Sequence, residues 1–116
     1  MHQEFVFELH HDGPTTLERY VLVQIVSLVR AMREGFIIPD EAEAILFKPD
    51  IHARLRAEGV GLQVLDLLRE GFHLDDTLQF MGRETLLQSL GRMEMTALSL
   101  LKVRPYPGKH VWIKTF

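Results

Sequence analysis

A chain of 116 residues, 47% apolar and 25% charged, has the size and make-up of one soluble domain spanning residues 1–116. Its 13 Lys and Arg against 16 Asp and Glu leave a formal charge of -3, the reverse of the balance that a nucleic-acid-binding surface needs. The lack of cysteine excludes disulfides, thiolate nucleophiles and cysteine-based zinc sites, and leans towards a reducing compartment.

The N-terminal stretch MHQEFVFELHHD is acidic, has no Lys or Arg and has no long apolar run, so it does not read as a signal or transit peptide. Within it, Phe5, Phe7 and Leu9 alternate with Val6, Glu8 and His10, the period of a strand with one covered face. Asp12-Gly13-Pro14 ends it with turn chemistry. Thr15-Thr16-Leu17-Glu18 fits a capping box that opens a long helix over Thr16–Glu34, stopped by Gly35. Leu17, Val21, Ile25, Leu28, Val29 and Met32 form its apolar stripe. Leu22, Val23 and Val26 fall outside that stripe, so the middle of the helix is apolar nearly all round. Such a helix is either central in its own fold or covered by another subunit. Its apolar run is interrupted by Gln24 and Ser27 and is too short to span a bilayer.

Pro39-Asp40-Glu41-Ala42-Glu43 starts a short helix with Asp40 as the expected cap, carrying Ala42, Ile45, Leu46 and Phe47 inward. Pro49-Asp50 opens the next, up to about Glu58. Val60–Glu70 has Leu62, Val64, Leu65 and Leu68 on its inward face and stops at Gly71. Asp75-Asp76-Thr77 reads as a cap for a single turn with Leu78, Phe80 and Met81, closed by Gly82. A last long helix covers Arg83 to Lys102, with Gly91 in its middle at a cost of roughly 1 kcal/mol relative to Ala. A close helix crossing would account for that glycine. After the stiff Arg104-Pro105-Tyr106-Pro107-Gly108 turn, Lys109–Phe116 alternates again as a strand. Its lysines complement Glu4 and Glu8 of the first strand, so the two termini are expected to pair, within one subunit or between two. The expected fold is mainly α: a bundle of two long and several short helices with a two-stranded antiparallel ribbon from the chain ends.

Chemistry-bearing constellations are sparse. His10-His11-Asp12, with His2 and His110, is the best metal candidate, but neighbouring strand residues point to opposite faces and no HExxH accompanies them. Asp75 and Asp76 stand where a helix start wants a cap rather than where acid–base catalysis wants a cleft. No GxGxxG, P-loop, GxSxG or SxxK occurs. The helices at Asp40–Phe47 and Asp50–Glu58 imitate a helix-turn-helix, with Arg54 and Arg56 facing DNA, but Pro49 occupies the turn. The basic C-terminal run with Tyr106, Trp112 and Phe116 could grip an acidic partner or single-stranded nucleic acid, but it fits better a strand with one covered and one solvated face that complements the acidic N-terminus.

Gly35-Phe36-Ile37-Ile38-Pro39-Asp40-Glu41-Ala42-Glu43-Ala44-Ile45-Leu46-Phe47-Lys48-Pro49 and Asp66-Leu67-Leu68-Arg69-Glu70-Gly71-Phe72-His73-Leu74-Asp75-Asp76 carry a resemblance. The chain resembles a small bacterial family of about this length and of unknown function. That family follows a G-x-I-x-x-D-E-A-E-x-x-L-F-x-P segment with a D-L-x-x-x-G-x-x-L-D-D segment. The likeness covers about residues 16–102. These motifs are caps and turns, so the resemblance implies a fold and no catalytic residues.

The expectation is therefore a cytoplasmic, non-enzymatic protein with no cofactor, acting through protein contacts and as a homodimer, without nucleic-acid or membrane binding. Leu22, Val23, Val26, Trp112 and Phe116 are its candidate partner-binding residues. An inhibitor that caps a partner with the acidic Asp40–Asp50 segment is the alternative within that class. A ligand-binding protein or enzyme with an interhelical pocket is the alternative outside it.

Overall fold

The computed structural model describes residues 13–106 in full and the backbone at 7–10 and 112–115. The protein is mainly helical. Strand β1 (Phe7–His10) is followed by helices α1 (Pro14–Arg33), α2 (Pro39–Ile45), α3 (Pro49–Ala57), α4 (Leu62–Glu70), α5 (Leu74–Met81) and α6 (Arg83–Lys102), and by strand β2 (Trp112–Thr115). A 3-10 turn, Gly71–His73, joins α4 to α5. The backbones of β1 and β2 lie antiparallel, with Glu8 opposite Lys114 and His10 opposite Trp112. The remaining parts of the two expected strands, with His2, His11, Asp12, His110 and Phe116, lie outside the described residues.

Helix α1 is the axis of the bundle. Leu17, Val21, Leu22, Ile25, Val29 and Met32 are all buried, and Tyr20 and Val26 pack against the same core. Each fully covered aliphatic side chain contributes about 1.5–3 kcal/mol. The helix is thus apolar nearly all round because its own subunit wraps it. Val64, Leu65, Leu67 and Leu68 of α4 and Leu86, Leu90, Met93 and Ala97 of α6 supply most of the wrapping. Leu22 is completely buried in this way, which removes it from the partner-binding set.

The start of α1 departs from the capping-box expectation. Gly13 is the cap residue, at φ 142°, Pro14 takes the first helical position and no side chain caps the end. Proline suits that position because its missing N–H would have had no helical partner. Glu18 is freed for another task. The far end stops as expected: Gly35, at φ 81°, donates its N–H to Met32 O and Phe36 donates to Ala31 O, the paired bonds of a Schellman motif.

The caps of the shorter helices also differ from expectation. Ile38 caps α2 and His73 caps α5, so Asp40, Asp75 and Asp76 sit inside first turns, where they favour the positive helix end without capping it. Ile45 and Leu62, expected inside, are 48% and 75% exposed. Helix α2 ends at Ile45, and Leu46 and Phe47 turn into the core from the following loop. Gly71 does not stop the chain but carries it straight into the 3-10 turn. A Cβ built on Gly71 would lie 2.1 Å from Phe47 Cδ1, so the aromatic ring rests on bare backbone there.

Candidate partner-binding surface

Helices α1 and α6 run antiparallel. Arg19 Nη1 donates to Arg104 O at 2.6 Å at one end, and Arg33 Nη1 pairs with Glu94 Oε1 at 2.7 Å towards the other. This register places the N-terminus of α1 beside the C-terminus of α6, and Arg33 and Glu34 beside Leu87.

The first of these ends is closed by a polar clamp. Glu18 Oε1 accepts from Arg104 Nε at 2.8 Å, and Glu18 Oε2 accepts from the Gly61 N–H at 2.6 Å. Arg104 Nη1 also donates to Leu100 O at 2.7 Å. Gly61 is the cap residue of α4, so the carboxylate lies at that helix's positive end. One buried glutamate thereby ties together α1, α4 and the segment leaving α6. Every strong partner it has is internal, and the cluster is structural.

A second carboxylate links α2 to α5. Glu43 Oε2 accepts the Asp75 N–H at 2.9 Å, capping α5 from a neighbouring helix. Burial pushes the Glu43 carboxyl above its ordinary range, and the charges of Asp75, Asp40 and Asp76 push it the same way against the pull of that N–H. The folded protein therefore holds a proton on Glu43 more tightly than the unfolded chain does. Stability from this group is fully present below the ordinary glutamate range and is lost as pH rises through the raised value. Glu43→Gln keeps an oxygen for the Asp75 N–H and removes the charge. It is expected to melt at a higher temperature than the wild type at neutral pH, with the gap closing towards acid in parallel thermal melts.

Large apolar side chains are uncovered in the link that leaves α1 and at the end of α5. Phe36 and Ile38, just past α1, are 79% and 62% exposed; Phe80 and Met81, closing α5, are 84% and 65% exposed. Asp40, Glu41 and Glu84 are exposed on the adjoining first turns of α2 and α6. Along the side of the pair, Arg30, Arg33, Glu34 and Leu87 line an open groove of about 290 Å³. Val23 is 44% exposed on this helix, and Val26 is half-buried against the core. Trp112 lies in β2 with its backbone opposite His10, and its side chain is outside the described residues, as is Phe116. The residues that sequence reasoning missed are Phe36, Ile38, Phe80 and Met81. Their only signal was that they are large apolar residues in links and helix ends rather than in a stripe.

Among the described residues, no three His, Asp or Glu side chains gather to hold a metal ion, and no helix is long and apolar enough to cross a membrane. The features that stand out are thus a wrapped central helix, two internal carboxylate ties and uncovered apolar side chains, those of a small helical protein whose conspicuous surface is apolar. The chain belongs to the family described as protein of unknown function (DUF3969), whose model matches residues 12–114. No curated protein matches it. No solved structure matches it either.

Proposed function

We propose that this is a non-enzymatic protein of the bacterial cytoplasm that works by holding a protein partner on the apolar surface formed by Phe36, Ile38, Phe80 and Met81. The exposure of these four large side chains, two just past the end of α1 and two just before the start of its antiparallel neighbour α6, carries the reading. Single exposed apolar residues are ordinary, but a group of them bordered by polar residues marks a contact surface. The flanking turns carry both signs, Asp40, Glu41 and Glu84 with Arg33 and Arg83, so the surface suits a partner with an apolar centre and a polar rim. Aromatic anchors such as Phe36 and Phe80 would supply most of the binding energy.

Affinity capture with quantitative comparison tests this. A partner held by the wild type should be lost with Phe36→Glu and with Phe80→Glu, at unchanged helicity, and retained with Arg56→Glu on the exposed side of α3. Capture profiles that are indifferent to both phenylalanine substitutions would reject the reading.

A further inference from the structure

We infer that Met81 is a reversible oxidation site, at which hydrogen peroxide turns the surface of Phe36, Ile38, Phe80 and Met81 polar and releases the protein partner held there. The inference rests on the reading of that surface as a partner contact. The chain has no cysteine, so its thioethers are the sulfur groups that a peroxide meets. Among the described residues the fold sorts them into two kinds. Met32 and Met93 are 5% and 1% exposed, and the core around them keeps an oxidant from the sulfur. Met81 and Met95 are 65% and 73% exposed. These two differ in place. Met95 lies in the interior of α6, whereas Met81 is the last residue of α5, next to Phe80, which is itself 84% exposed.

In the oxidation, the Met81 sulfur attacks one oxygen of the peroxide. A sulfur–oxygen bond forms and the oxygen–oxygen bond breaks. Sulfur gives up two electrons and the peroxide gains them. The departing oxygen takes the proton of the transferred hydroxyl and leaves as water. The product is a sulfoxide, which puts a polar hydrogen-bond acceptor where a soft apolar group stood. In the free protein, water satisfies that oxygen. Under the apolar centre of a partner it has no donor, so oxidation penalises the bound state alone. A methionine sulfoxide reductase reverses the change: a dithiol becomes a disulfide, and the sulfoxide oxygen leaves as water.

Limited hydrogen peroxide treatment followed by peptide mass spectrometry reads the site. Met81 and Met95 should take up oxygen roughly tenfold faster than Met32 and Met93, or more. Met95→Leu then isolates Met81, and the double variant Met81→Leu with Met95→Leu controls for oxidation elsewhere in the chain. Each variant is compared with itself before and after peroxide. Retention on a phenyl matrix and capture of the protein held by the wild type should both fall for Met95→Leu, capture by roughly tenfold. Neither should change for the double variant, and reductase with a dithiol should restore both. Met81 oxidising no faster than Met93 would overturn the inference. So would an oxidised Met95→Leu protein that holds its partner as before while Phe80→Glu still abolishes capture, an outcome that leaves the partner surface standing. Capture indifferent to both Phe36→Glu and Phe80→Glu rejects the surface itself, and the inference with it.

Discussion

Gly71→Ala is expected to be the most damaging single methyl group that can be added to this protein. The new Cβ would lie 2.1 Å from Phe47 Cδ1 and 2.3 Å from Phe47 Cγ. Phe47 is 2% exposed, so its ring has nowhere to retreat without opening the core. Backbone strain is no part of the effect, because Gly71 has φ -70° and ψ -18°, a conformation alanine adopts freely. The cost is overpacking alone, about 3 kcal/mol, at the upper end of the usual range for extra volume forced into a filled site. Denaturant unfolding should show a lowered midpoint. A second substitution identifies the cause: Phe47→Leu costs stability in the wild-type background but should recover part of the loss in the Gly71→Ala background. A double-mutant cycle without that coupling would show that the clash is relieved elsewhere.

The polar clamp carries the second large effect. Arg104→Met removes the cation from a pair whose side chains are only 13% and 11% exposed. Glu18 would keep the Gly61 N–H and lose its charged partner. Breaking one side of a covered ion pair costs about 3–5 kcal/mol, because the remaining charge is left with too little solvation. The melting temperature should fall by on the order of 10 °C. Glu18→Leu combined with Arg104→Met should be less damaging than Arg104→Met alone, since no unpaired charge then remains. A double variant worse than the single one would mean that the Glu18 bond to the α4 cap outweighs the ion pair.

Both effects connect residues far apart in sequence, and this separates what was legible from what was not. The helical periods of 16–34 and 83–102 are local properties, and both helices lie close to where those periods place them. So does the stop at Gly35, because a left-handed residue after a helix is a local requirement that glycine meets best. Caps were less legible. Glu18, Asp40 and Asp75 all have the chemistry of helix starts, and only the packing of distant helices decides which carboxylate meets which N–H. Glu18 serves α4 instead of α1, and Glu43 serves α5 from α2.

The partner-binding residues divide the same way. Leu22, Val23 and Val26 were singled out because a helix apolar on every side must be covered by something. The tertiary structure decided by what: α4 and α6 of the same subunit bury Leu22 outright, and only Val23 is left substantially exposed. Conversely, Phe36, Phe80 and Met81 looked unremarkable along the chain, and they stand out only because the packing of the helices leaves them exposed. The order of residues thus determined where helices form, since that depends on contacts three and four positions apart. Which faces end up wrapped and which stay bare depended on long-range packing, where each helix's covering is set by partners dozens of residues away.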